Sequence, residues 1–238
     1  ESGRVTIPDF YDGVHPVPDD MKTAWEALSF DAEAFLGEVG LSQPGGETRY
    51  SALEQIWARP TAEPNGIWGG YIGAGSKTVL PAQASAKFTF RLVGDQDPQA
   101  VLRNFESFLR DRLPPDFALD FHAGEGAGAT VMRTDRAEFQ AAQAALSDEW
   151  PKPAVFAGSG GSIPIVGHFR GILDTDSILI GYALDDDSIH SPNEKYNLTS
   201  FHKGIRSWVR IFDAYYGGCP ASGGTAGRPA AARRWPAG

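Results

Sequence analysis

Apolar residues recur along this chain in two rhythms, and each rhythm predicts a different kind of element. Between residues 84 and 93, Ala84, Ala86, Phe88, Phe90 and Leu92 alternate with Ser85, Lys87, Thr89, Arg91 and Val93. A period of two gives a strand with one buried and one polar face. Arg91 therefore points away from the face that Phe88 and Phe90 bury. The strand is expected over residues 79–93, with further strands at 53–58, 66–72 and around Phe117, Leu119 and Phe121.

Helical spacing appears elsewhere. Met21, Trp25 and Leu28, then Phe35, Leu36 and Val39, predict helix between residues 19 and 39, with Asp31 placed to start a second turn. Asp97 and Pro98 suit the cap and first turn of the clearest helix. Its stripe is Val101, Leu102, Phe105, Phe108 and Leu109, and Pro114 and Pro115 end it. A last helix is expected over 198–216, with Leu198, Phe201, Ile205, Trp208, Val209 and Phe212 on one face.

Strands, helix and strand over residues 50–123 imply an antiparallel sheet covered on one side by helices. The run AGEGAGA at 123–129 reads as a linker. Beyond it a helix at 135–146 alternates with apolar strands at 154–157 and 177–183, which indicates a more parallel α/β layer. The expected fold class is thus α/β, with an α+β first part. Three segments follow: residues 1–127, residues 128–216, and a tail at 217–238. The tail is rich in Gly, Ala, Pro and Arg without periodicity, and disorder is the expectation there.

Charge and composition narrow the chemistry only by exclusion. A net charge of -9 offers no basic stripe for nucleic acid. One cysteine, Cys219, excludes a disulfide framework and a cysteine-rich zinc site. No apolar run approaches the roughly 20 residues that span a bilayer, so no membrane partner is expected. A cytoplasmic location is the expectation.

Three stretches carry candidate chemistry. GGYIGAGSKT (69–78) resembles the end of a phosphate-binding loop but separates Gly75 from Lys77 by Ser76, and Pro81 stands where a helix should begin. A strand-to-strand connection is the better account. GSGGSIP (158–164) follows an apolar strand and precedes a short helix. Such a turn either turns backbone N–H groups toward an anion or needs glycine for its dihedrals. It contains no Gly-x-Ser-x-Gly, so a serine nucleophile at Ser162 paired with His190 is poorly supported. In DDDSIHSPNEKYN (185–197), His190 lies among Asp185, Asp186, Asp187, Asn193 and Glu194, just past an apolar segment. Metal ligand, catalytic base and plain surface histidine all remain open on these residues alone, because zinc needs three or four ligands. His15, His122, His168 and His202 lie in unrelated contexts.

Together, GYIGAGSKTVLPAQASAKFTFRLV, VFAGSGGSIPIV and DDDSIHSPNEKYNLTSF closely resemble the di-zinc metallopeptidases: carnosinase-type dipeptidases, carboxypeptidase G, aminoacylase and succinyl-diaminopimelate desuccinylase. The dipeptidase branch fits best, since RVTIPDFYDGV and ARPTAEPNGI look like its lid. The resemblance implies hydrolysis of a peptide or N-acyl amide bond beside a free carboxylate. It makes His190 a terminal zinc ligand. Gly161 and Ser162 would line the pocket, Arg91 would pair with the substrate carboxylate, and Thr78 would reach from the lid into a partner's site. It also implies that residues 1–127 are a lid or dimerisation domain and 128–216 the C-terminal part of a catalytic domain, with two zinc ions per intact subunit and a homodimer formed through the lid. The family's other metal ligands, its general-base Glu and its lid histidine are expected in an N-terminal half preceding Glu1. The isolated chain would then be a non-catalytic, dimerising and substrate-gripping fragment. Ser159 and Arg136 depart from residues found in some relatives, which bears on specificity.

Overall fold

The structure, a computed structural model, describes residues 2–160 and 163–216. The expected disorder of the tail, and the pocket-lining roles of Gly161 and Ser162, concern residues outside that set. The chain forms two compact units, interleaved in sequence. The first comprises residues 1–134 and 155–179, the second 135–154 and 180–238.

In the first unit, α1 (Asp19–Glu26) and α2 (Ala32–Gly37) divide the predicted helical stretch. Ser29 takes a left-handed φ of 53° between them. Asp31 starts the second helix as expected, its carboxylate accepting from Ala34 N at 2.9 Å. The segment expected as a strand at 53–58 is instead α3 (Ala52–Ala58). Its apolar residues were read as a strand while Ser51 and Glu54 close a capping box across its first turn, at 3.2 and 2.9 Å. That signal was present in the sequence as Ser-x-x-Glu.

Strands β1 (Thr61–Gly69) and β2 (Ala84–Arg91) pair antiparallel, joined by the loop that carries GGYIGAGSKT. The connection between strands expected for that stretch is what the structure shows. The register shifts between Pro64 and Gly66, leaving Asn65 as the extra residue of a bulge. Helix α4 (Pro98–Arg110) has Asp97 as its cap, accepting from Gln99 N at 2.9 Å, and Pro98 in its first turn.

Phe105 is the centre of this unit's core. Its ring meets those of Phe88 and Phe90 at 5.1 Å, and that of Phe121 at 6.0 Å. Ile7, Phe10 and Val101 complete the buried cluster. Buried Gln96 fastens the N-terminal segment to this core. Its amide donates to Phe10 O at 2.6 Å and its carbonyl oxygen accepts from Val93 N at 2.8 Å. Helix α6 (Pro164–Leu173) also belongs to the first unit.

The second unit packs α5 (Ala137–Glu149) against α7 (Leu198–Tyr216). The residues α7 buries are Ser200, Gly204, Ser207 and Ile211. The large apolar residues expected on one face of this helix are exposed: Ile205 by 50%, Trp208 by 41% and Phe212 by 54%. Small residues on this side admit close neighbours, as at Gly204, where a Cβ would lie 3.2 Å from the Tyr182 ring.

Among the described residues β1 and β2 form the one sheet. The stretches expected as strands at 117–121, 154–157 and 177–183 carry no ladder there. Apolar content predicts that a segment is buried or paired, but a strand exists only with a hydrogen-bonded neighbour.

Candidate functional site

The sequence candidates divide between the two units. In the first, the stretch that opens at Gly158 is docked on α1 and α3. The Trp25 indole N–H donates to Phe156 O at 2.7 Å, and the Trp25 and Trp57 rings meet edge-on at 5.1 Å. Gly158 lies so close to Trp57 that a Cβ would fall 2.1 Å from its carbonyl oxygen. Neither Gly158 nor Gly160 has a positive φ. Glycine is required at 158 by close approach, and not by its dihedrals.

This docking brings Gly160 to Arg91. The Arg91 guanidinium donates to Gly160 O, and its Nε lies 3.7 Å from the Glu63 carboxylate on the paired strand. The side chain keeps 56% of its surface exposed, as the alternation along β2 predicts. A guanidinium carries five N–H donors in a rigid fork suited to a carboxylate. Arg91 and the glycine stretch are therefore neighbours, 69 residues apart in sequence. Thr78 is exposed in the loop between β1 and β2.

In the second unit His190 is exposed and adopts a left-handed φ of 60°, uncommon outside glycine. Ser188 and Asn193 share that left-handed backbone, at 53° and 63°. The loop stays closed because Asp187, buried at 1%, ties its two ends. The Asp187 carboxylate accepts from Leu184 N at 2.8 Å and lies 3.4 Å from Lys195 Nζ, and its backbone carbonyl accepts from Lys195 N at 3.0 Å. Asp186 adds a 2.7 Å ion pair to the same lysine. That pair holds the Asp186 carboxyl below its ordinary range and pushes the Lys195 ammonium up. Spacing could not reveal this clamp, because the loop folds back before Lys195 meets the aspartates.

Two of the acids near His190 are thus engaged by a lysine. Among the described residues no three His, Cys, Asp or Glu side chains gather as a metal site. A single exposed imidazole does not fit a complete zinc centre, which takes at least three protein ligands.

The first unit thus pairs two strands with a helix across one face and sets an arginine against a glycine stretch, and the second presents one exposed imidazole on a loop. Comparison with known proteins gives this arrangement a context. Residues 17–116 match the M20 peptidase dimerisation domain. The Cys-Gly metallodipeptidase of Candida albicans is 30% identical over 91% of this chain and 45% of its own length. The human beta-Ala-His dipeptidase is 25% identical over 89% of the chain and 42% of its own. Among solved structures, an M20 family metallo-carboxypeptidase from Sulfolobus solfataricus superposes with a TM-score of 0.76 at 26% identity, covering 90% of this chain and 48% of that one. Human carnosine dipeptidase 1 superposes at 0.66, also at 26% identity, over 90% and 46%. The chain is a relative of the M20 metallopeptidases, and it spans about half the length of the relatives it matches.

Proposed function

We propose that this chain is the lid and the C-terminal catalytic part of a zinc-dependent hydrolase that cleaves a peptide or N-acyl amide bond next to a free carboxylate. The observation that carries the reading is Arg91 set against Gly160, at the mouth of the glycine stretch, with most of its side chain exposed. A substrate carboxylate would take the guanidinium fork bidentately. Gly161 and Ser162 would complete its cradle, and Thr78 would approach the site of a second subunit from the lid. His190 would be one metal ligand. The other ligands of the two zinc ions, and the general base, would come from parts of the protein outside this chain.

On this reading the functional boundary falls near residue 127, with the lid before it, the catalytic part at 128–216 and the tail after; it follows motif content and not compactness. The lid would hold two copies together as a homodimer. No helix among the described residues is long and apolar enough to cross a membrane, and the lone cysteine fits a reducing compartment such as the cytoplasm.

A second reading applies to the isolated polypeptide: it grips substrate and dimerises but does not catalyse. The absence of a three-ligand cluster among the described residues favours it, because metal affinity depends on ligand count and geometry. Metal analysis of the dialysed chain separates the two. Near-zero zinc with no dipeptide hydrolysis is expected. About two zincs per chain, the number a two-metal hydrolase needs, would contradict the fragment reading. Activity of the complete enzyme surviving Arg91→Met with unchanged KM would remove Arg91 from the substrate site.

A further inference from the structure

The first unit holds a cluster of arginines that the peptidase reading does not use. Arg4, Arg49 and Arg59 converge on the single buried carboxylate of Glu47. Arg59 lies 2.6 Å from it, Arg4 3.3 Å and Arg49 4.0 Å. Three cations around one anion leave an excess of two positive charges, in a chain whose net charge is -9. Arg59, whose side chain keeps only 9% of its surface, is neutralised by Glu47 through both its Nε and a terminal nitrogen at 2.6 Å. The uncompensated charge therefore sits on Arg4 and Arg49, 47% and 63% exposed.

Two tyrosine rings hold the guanidiniums in place. Arg4 sits 3.8 Å over the Tyr11 ring, while Arg59 and Arg49 sit 4.3 and 4.7 Å over the Tyr50 ring. A guanidinium stacked on a ring face keeps its N–H donors in the plane, where they meet a ligand edge-on. These five residues line a pocket of about 210 Å³. That is room for one small anion with a few waters, and not for a polymer.

We propose that this pocket binds a dianionic phosphate group, held by Arg4, Arg49 and Arg59. The residual charge matches phosphate, which carries about -1.5 to -2 at neutral pH. A single carboxylate would leave one cation uncompensated.

Calorimetric titration of the chain with inorganic phosphate at fixed ionic strength tests the assignment, with acetate and glycerol phosphate as parallel arms. One phosphate per chain is expected, with acetate binding at least about tenfold more weakly. Arg49→Gln should weaken phosphate by about tenfold, the worth of one charge-assisted contact. The same variant should leave the phosphate-free unfolding midpoint unchanged, because Arg49 is 63% exposed and only grazes Glu47. Tighter binding of glycerol phosphate would identify a monoester as the ligand, and equal or weaker binding the free ion. No phosphate binding, equal binding of acetate, or undiminished binding by Arg49→Gln would overturn the proposal.

Discussion

Helices α4 and α7 carry the same kind of apolar stripe and meet opposite fates. In α4, Val101 and Phe105 are buried, with the rings of Phe88 and Phe90 packed on Phe105. In α7, Phe201, Ile205, Trp208 and Phe212 stay exposed, and the buried side is made of Ser200, Gly204, Ser207 and Ile211. The difference is one of partners. The β1–β2 hairpin supplies the apolar face that α4 needs, whereas the main packing partner of α7 among the described elements is α5. A contiguous exposed apolar stripe of this kind marks a surface meant to be covered.

The sharpest way to break this comparison is to truncate one ring in each helix. Phe105→Ala removes a ring with three aromatic neighbours and should cost about 3–5 kcal/mol in urea unfolding. Phe212→Ala should change stability by no more than about 0.5 kcal/mol. Equal losses would mean that the α7 stripe is packed in solution after all.

A smaller effect is expected on the side of α7 that is buried. Ser207 accepts from the Trp150 indole N–H at 3.0 Å and is itself fully buried. Ser207→Ala leaves that donor unmatched, at about 1–3 kcal/mol. A loss smaller than that of Phe212→Ala would reverse the assignment of the two faces.

The smallest effect concerns the His190 loop. Asp186 is depressed by Lys195, so its contribution is present above the ordinary carboxylate pKa of about 4 and is lost as pH falls through the lower folded value. Lys195 is raised, so its share is present below about pH 10.4 and is lost as pH rises through the higher folded value. Both side chains are substantially exposed, so the effect is modest and screened by salt. Amide protection factors of residues 188–191, 193 and 194, with the intrinsic pH dependence of exchange divided out, should be highest between those limits in wild type. In Lys195→Met that plateau should disappear, and its persistence would show that other contacts close the loop.

Local signals in the sequence were read correctly where they were self-contained. Asp97 with Pro98 started α4, Asp31 started α2, and the alternation through Phe88 and Phe90 set both the core face of β2 and the outward course of Arg91. The capping box at Ser51 and Glu54 was equally local and was overridden by the apolar content of 53–58. The motifs that identify a metallopeptidase relative were visible as well, and the similarity over 91% of the chain agrees with them. What escaped the sequence needs partners distant along the chain: Gly160 against Arg91, Trp25 and Trp57 holding the 155–160 segment, and three arginines on Glu47.

The sequence by itself determined which residues can start helices, which face of β2 is apolar, and which chemical groups a site could contain. These depend on neighbours within one or two turns, where backbone geometry fixes who meets whom. The tertiary structure alone decided which apolar stripe is covered and which stays open. It also decided that glycine at 158 answers to the Trp57 backbone, and that Asp187 and Lys195 close the loop around His190. Those outcomes depend on surfaces brought together by packing, and hydrophobic burial is non-directional, so a stripe specifies that it must be covered without specifying by what.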